Sequence, residues 1–454
     1  MDLIAASDGI LELISRFFGL TVLDVQTACW TIFVGIVCNV SCAVLGCFLV
    51  LRRMSLLGDA ISHAILPGLA IAFLISGTLS GIPMFLGALS FGLLTAFLTQ
   101  ALSRYGGVSE DAGMGIVFTS LFAVGVVVIK QFADRVHLDA DCVLYGLIEF
   151  VTFDTVVYAG IEIPRALLTQ VPVLCVTVLF IIAFWKELKI SSFDSQLSSA
   201  MGIHSGLIHY LLMAMVASVT VSAFQAVGSI LVIAMLIVPG ATAHLLTDRL
   251  DRMLLWSAVV GILSAVLGYM GAVWLNTSVA GMMAVVAGML FTLAVFAAPR
   301  HGILSRTVGN LRIALQIVSE DIVAMMFRLE ESQPQTETEY QASKLECYEW
   351  AGGGLLAKCA LPLMQSKGIL RSAKNSTFQL TENGRILGRS LVRSHRLWET
   401  FLDENFDLPA DHLHEPASRI EHFIGPRLQE RLAQEVINSE RDPHGKTIPE
   451  PEGN

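Results

Sequence analysis

This sequence has little charge. Asp, Glu, Lys and Arg make up 15% of its 454 residues against 54% hydrophobic, and the mean hydropathy is +0.66. Such a balance excludes an ordinary water-soluble domain for most of the chain. The scarcity is uneven. Residues 1–306 hold 13 basic and 17 acidic side chains, whereas the much shorter stretch 307–454 holds 16 and 22. We read a membrane domain followed by a soluble one, joined near Arg300–Asn310.

Other absences narrow the chemistry. No GxxxxGK[ST] run occurs, so the chain has no phosphate-cradling loop of that kind and is expected not to be an ATPase. Energy must then come from an ion gradient or a separate subunit. The 8 cysteines show no CxxC spacing, and Cys29, Cys38, Cys42, Cys47 and Cys175 lie in apolar runs, as small buried hydrophobes do. Residues 1–20 lack a basic leading region, which argues against a signal peptide. Their pattern, with Leu3, Ile4, Ile10, Leu11, Leu13, Ile14, Phe17 and Phe18 against Asp2, Asp8, Glu12 and Arg16, fits an interfacial amphipathic helix, with a tenth span as the alternative.

What is present is long apolar runs. A spanning helix needs about 20 mostly apolar residues. Nine candidates meet this: 26–50, 58–77, 81–103, 112–131, 167–185, 205–223, 226–247, 253–275 and 279–299, with 141–151 as a re-entrant or short helix. If the chain alternates, Arg52, Arg53, Arg104, Lys186, Lys189, Arg249, Arg252, Arg300 and Arg306 fall on one side, and only Lys130, Arg135 and Arg165 on the other. The excess of basic residues marks the inner side, so the charged tail is expected in the cytoplasm.

Within the second apolar run, in LVLRRMSLLGDAISHAILPGLAIAF, stand Asp59 and His63. Four residues apart, they share a helix face. Ionisable groups are costly in hydrocarbon and mark function there. One oxygen and one nitrogen donor suit a divalent transition ion. Pro67-Gly68 follows one turn later, and transport sites often use broken helices. The bland alternative is a polar pair bonding neighbouring helices. Two donors cannot close a site. Glu110 and Asp111 read better as solvated carboxylates at a helix start, His244 is a weak candidate for the exit, and His137, Asp139 and Asp141 favour a solvated acidic loop over an ion-receiving one. The polar loop ELKISSFDSQLSSAMGI (187–203) offers a short helix on which a motor subunit could dock.

The run LRRMSLLGDAISHAILPGLAIAF resembles the signature of the ABC-3 permeases, which import manganese, zinc or iron. The similarity continues through GMGIVFTSLFAVGVVVI (113–129), SSFDSQLSSAMGI (191–203) and VGSILVIAMLIVPGATAHLLTDRL (227–250). The resemblance implies a type II importer permease working as a homo- or heterodimer, with separate ABC ATP-binding subunits and a solute-binding protein on the outer side. It also assigns Asp59 and His63 as metal ligands, and Phe193, Asp194, Leu197, Met201 and Gly202 to the stretch that meets the ATPase.

The tail resembles a second family. Residues 377–424 and 441–453 look like the wing, dimerisation and closing segments of DtxR/MntR metalloregulators, and SEDIVAMMFRLEE (319–331) looks like their first helix. The resemblance implies a regulatory divalent ion (Mn2+, Fe2+ or Zn2+) on Asp321, His395, Glu399, His414, Glu421 and His422. From spacing alone, His395/Glu399 and His414/Glu421/His422 let two helices present mixed donors to one ion. Ser418 and Ala324 depart from the family pattern, which leaves a weakened, single-ion or vestigial site as alternatives. A recognition helix within 351–370, with the wing, would offer Lys358, Lys367, Arg371 and Lys374 to DNA. The tail has 16 basic and 22 acidic residues, a net charge of −6, which slightly favours a tail that senses metal or dimerises without touching DNA.

The expected architecture is mainly α: a polytopic membrane protein with a small cytoplasmic winged-helix and helical dimerisation domain. The expected divisions are an amphipathic segment (1–20), a permease (21–302), a winged helix-turn-helix (310–390) and a metal-binding and dimerisation domain (391–454). The expected function is the permease subunit of an ATP-driven importer of manganese or iron, or of zinc, with a regulatory tail. The alternatives are a gradient-driven metal transporter and a membrane-tethered precursor of a metal-responsive repressor.

Overall fold

In a computed structural model, the chain is described over residues 22–450 apart from 55, 78–81, 133–147, 159–160, 333–339, 374–376, 407–408, 410–411 and 438–439. The amphipathic reading of 1–20, the acidic loop with His137, Asp139 and Asp141, and Lys374 lie outside the described residues. The chain divides into two compact units, Met1–Ser305 and Arg306–Asn454.

Among the described residues of the first unit, nine segments are long and apolar enough to cross a bilayer. They are built from α1 (Val22–Leu51), the pair α2 (Leu57–Ala64) and α3 (Leu66–Ser76), α4 (Ile82–Gly106), α5 (Glu110–Phe132) and α6 (Arg165–Ala183). After two short helices, α7 (Trp185–Phe193) and α8 (Ser195–Ala200), come α9 (Ser205–Leu246), α10 (Leu250–Leu275) and α11 (Val279–Ala297). Burial sorts them. The windows of α1 and of the two halves of α9 are 72%, 61% and 67% buried, against 22–33% for α4, α5, α6, α10 and α11. The bundle is therefore centred on α1 and α9, and the others present one face outward.

Between α1 and α9 the backbones nearly touch. A Cβ on Gly46 would stand 1.9 Å from the Leu236 carbonyl oxygen, so only glycine admits this crossing. The expected sixth and seventh spans are the two halves of α9, which follow one another through a kink with no intervening loop. The kink is at Gly228, whose φ of 77° and ψ of 167° only glycine adopts readily. The described part of 141–151 is a single 3-10 turn, Ile148–Phe150, and not a longer helix. A hairpin that the hydropathy windows did not foresee follows, β1 (Thr155–Tyr158) with β2 (Ile161–Pro164), pairing Thr155 with Pro164 and Tyr158 with Ile161.

The second unit begins inside α12 (Ile303–Ser332), within the expected junction at Arg300–Asn310. Its later turns bury Ile322, Val323 and Met326 with Cys347, Leu361, Met364, Phe378 and Leu380. Around that core lie β3 (Ala342–Ser343), α13 (Lys344–Trp350), α14 (Gly354–Ser366), β4 (Leu370–Ser372) and β5 (Thr377–Leu380), with strand order β3-β5-β4. Both pairings are antiparallel, Leu370 facing Leu380 and Ala342 facing Phe378. This is the expected helix-turn-helix with a wing. A box in which Ser343 and Glu346 satisfy each other's backbone N–H starts α13. The long α15 (Glu382–Asn405) then packs with α16 (His414–Ile420) and α17 (Pro426–Glu435) over Leu397, Ile424, Leu432, Val436 and Ile448. Arg396, only 4% exposed, holds the C-terminal segment through Asp442 and the Thr447 carbonyl, and it also meets Glu331 of α12.

Candidate metal centres and coupling surface

Asp59 and His63 lie on α2, the short first half of the second span. Their Oδ1 and Nε2 are 3.4 Å apart, and each side chain is 37% exposed in an otherwise buried helix. The pair is thus partly exposed and is not sealed by packing within the chain. Two phenylalanines of α5, Phe118 and Phe122, flank the imidazole with ring centres at 6.0 Å. Downstream the helix breaks at Ile65, and Pro67 opens α3. Proline has no N–H to offer the carbonyl four residues back, which is that of His63 itself. The site residue and the interruption are therefore one local feature. Asp111 is exposed at the start of α5 and His244 is exposed near the end of α9; neither is grouped with Asp59 and His63.

The segment 187–203, expected to offer a short docking helix, holds the end of α7 and the whole of α8. Asp194 caps α8, its Oδ1 accepting from the Gln196 and Leu197 amides at 2.9 Å each. Gly202 ends the segment at φ 80°, a left-handed turn that suits glycine. Along this segment Phe193, Leu197 and Met201 are 60%, 51% and 61% exposed. Three large apolar side chains, one within a capped six-residue helix and one just beyond each end, make a surface suited to burial by a partner.

In the second unit the six expected ligands gather as two groups and not one. His395, Glu399 and His414 form the first. Their atoms Nε2, Oε1 and Nδ1 make a nearly equilateral triangle with sides of 2.9, 3.0 and 3.0 Å. Donors about 2.1 Å from a common ion with octahedral geometry are about 3.0 Å apart along each edge, so the triangle matches one face of such a shell. Asp321, Glu421 and His422 form the second group, with Asp321 Oδ1 3.2 Å from His422 Nε2. The two groups touch: His395 Nδ1 lies 2.6 Å from Glu421 Oε2, and Arg328 donates to the same oxygen at 3.1 Å.

These contacts set the protonation states. Burial raises the Glu399 carboxyl, but its bonds to His395 and His414 outweigh it and bring the pKa down to about 2. Burial lowers the His422 ring, but hydrogen bonds and charge from Asp321, Glu320 and Glu421 prevail and raise it to about 9. His395 is raised in the same manner by Glu399 and Glu421 against its burial. At His422 and His395 the protonated ring is favoured, and a cation bound there would displace that proton.

Of the basic residues expected at a nucleic acid, Lys358 and Lys367 are exposed on and just after α14. Arg371 is exposed on β4 but engages Gln379 of β5 at 3.1 Å. Lys374 is outside the described residues.

The model of the ABC 3 transport family matches residues 24–298. The chain belongs to that family. The permease portion is 48% identical over 285 residues to the manganese transport system membrane protein MntD of Bacillus subtilis, which spans 63% of this chain and 96% of that relative. It is 37% identical over 290 residues to the zinc transport system membrane protein TroD of Treponema pallidum, spanning 63% and 79%. The solved structure of PsaBC from Streptococcus pneumoniae in complex with Fab is similar at 34% identity and a TM-score of 0.52, covering 62% of this chain and 95% of that one. A second model, the metal binding and dimerisation domain of iron dependent repressors, matches residues 381–450. This ABC 3 permease is therefore a multi-pass membrane protein with a metalloregulator-type domain appended.

Two groups near the tail clusters escaped the sequence reading. Glu320 Oε2 is 2.9 Å from His422 Nδ1, the nitrogen that faces away from Asp321. Its signal was its position beside Asp321 in the helix that resembled the regulators. His444 Nε2 stands 3.9 Å from Glu399 Oε1, brought there by the C-terminal segment that Arg396 fastens. No spacing could show that, since 45 residues separate the two in sequence. Ala324, 1% exposed, belongs to the apolar core and offers no donor.

Proposed function

We propose that this ABC 3 permease is the membrane subunit of an importer for a divalent transition metal, manganese or iron foremost and zinc as a further cargo, powered by separate ATP-binding subunits and fed by an outer solute-binding protein. The observation that carries this reading is the accessible carboxylate–imidazole pair of Asp59 and His63 beside a proline break inside a bilayer-spanning segment. The names of the manganese and zinc relatives support the class of cargo. As substrate, the ion would exchange part of its water shell for Asp59 oxygen and His63 nitrogen, with other donors from the bundle. Two copies, or this chain and a sister permease, would open alternately to either side as the ATPases act on α7 and α8 through Phe193, Asp194, Leu197, Met201 and Gly202. The distribution of basic residues supports placing the tail in the cytoplasm.

The test is Mn2+ uptake by proteoliposomes holding the complete complex. Asp59→Ala with His63→Ala is expected to reduce uptake at least about a hundredfold, as loss of both charged ligands from a site would. Undiminished uptake by that double variant in a correctly assembled complex sinks the assignment. Uptake by the permease alone, without ATPase, would instead favour a gradient-driven carrier.

For the tail we propose a metal sensor. The triangle of His395, Glu399 and His414 supports a resident divalent ion there, and Asp321, Glu421 and His422 would hold another. Within it we place a winged helix-turn-helix at 310–390 and the metal-binding and dimerisation region at 391–454. Bound metal would throttle transport or, through Lys358, Lys367, Arg371 and Lys374, DNA. The acidic balance of the tail favours the first. A metal-dependent shift of a DNA probe by the detergent-solubilised chain would reverse that preference and favour the tethered-repressor reading.

A further inference from the structure

Arg52 stands in the turn between α1 and α2, seven residues before Asp59, and each nitrogen of its guanidinium has a partner. Nε donates to Ser192 Oγ at 3.2 Å, Nη2 to Ser191 Oγ at 2.7 Å, and Nη1 faces His209 Nδ1 at 3.3 Å. Ser191 and Ser192 belong to α7 and are 8% and 9% exposed; His209 is on the first turns of α9. Burial lowers the Arg52 pKa to about 10, which leaves it a cation at neutral pH. No carboxylate among the described residues shares that charge. A half-buried cation held by two hydroxyls and an imidazole, with no carboxylate beside it, is an unusual arrangement to keep for stability alone.

The parts it joins are stiff. The turn is closed by the Arg52, Arg53 and Met54 amides, which donate to the carbonyls of Phe48, Val50 and Leu49 at 3.0, 3.1 and 2.9 Å. Arg53 adopts φ 59°, a left-handed conformation that fixes the reversal. α2 starts at Leu57 and carries Asp59 and His63. On the other side α7 ends at Phe193, and the Asp194 cap starts α8 with its exposed Leu197. Apolar packing between such helices permits sliding, whereas a guanidinium fork with three directed bonds fixes distance and angle together.

We propose that Arg52 is a positioning residue of the transport cycle: it locks the exposed α7–α8 segment to the turn that carries the metal-bearing helix, so that displacement of one is delivered to the other. The role rests on the importer reading above. Two variants test it in the assembled complex with its ATPase, using Mn2+ as the probe. Arg52→Lys keeps the charge and loses the fork. Ser191→Ala with Ser192→Ala keeps Arg52 and removes two acceptors, and it decides the matter if the lysine variant fails to assemble.

In both, Mn2+ affinity and basal ATP hydrolysis are expected to stay as in the parent complex. Mn2+ moved per ATP hydrolysed is expected to fall about tenfold, the equivalent of one lost charge-assisted hydrogen bond. A purely architectural arginine would alter the yield of folded complex and leave that ratio untouched, and an unchanged ratio overturns the proposal. Absence of Mn2+ transport by the parent complex would take down the importer reading and this role with it, which is a separate and visible outcome.

Discussion

Glu320 illustrates what a single side chain does beside a proposed metal ligand. Its contact with His422 Nδ1 leaves Nε2 turned toward Asp321, the arrangement in which an imidazole is held in one tautomer for an ion. Glu320→Gln is expected to weaken Mn2+ binding to the tail about 10–100-fold without unfolding it. Calorimetric titration of the parent and the variant measures this, and equal affinities would remove Glu320 from the site. The elevated His422 pKa predicts a pH dependence as well. In the metal-free chain the protonated ring is favoured by folding. Its contribution to stability is whole below about pH 6.5, the unperturbed value, and is lost as pH rises through about 9. A metal must displace that proton, so Mn2+ affinity at Asp321, Glu421 and His422 is expected to rise between those limits. Titrations at the two pH values check it, and His422→Ala should flatten the slope. The sequence displayed His395 and Glu399 through their i, i+4 spacing, and Asp321 through the resemblance alone. It could not show that they divide into two groups, because that depends on how α12, α15 and α16 meet.

Among elements, the spans were legible because a bilayer demands about 20 apolar residues and little else does. The division of α9 was legible too, at 223–226, but its kink at Gly228 was not, since Gly228 is one of 37 glycines and its dihedral angles leave no mark in hydropathy. The β1–β2 hairpin was missed for a related reason: two four-residue strands vanish in a window sized for helices. Two predictions belong here. Asp194→Ala removes the two bonds that start α8 and should cost about 1 kcal/mol locally. Hydrogen exchange would then quicken over 195–200 while protection of α2 stays unchanged. Gly46→Ala places a methyl against the Leu236 carbonyl and should destabilise the bundle by about 1–3 kcal/mol. A lowered Tm in detergent is the expected result. An unaltered Tm would show that α1 and α9 separate without cost.

For the whole molecule, the uneven distribution of charge foretold two units, because a membrane domain and a water-exposed one cannot share a composition. It did not foretell that a helix would run through the division. Deleting the second unit after Ser305 is expected to leave Mn2+ uptake intact and to abolish its inhibition by Mn2+ on the tail side. Uptake into proteoliposomes at graded internal Mn2+ measures both. Retained inhibition in the truncated chain would transfer the sensing to the permease.

The unbroken α12 has a consequence for how long the chain stays in one piece. Proteases grip extended backbone, and every residue from Ile303 to Ser332 is wound into helix. Shedding of the soluble portion at this junction would first require several turns to melt. Limited digestion of the intact protein should therefore spare 306–330 while cutting elsewhere, and a cell that liberates the tail would need an unwinding step to do so.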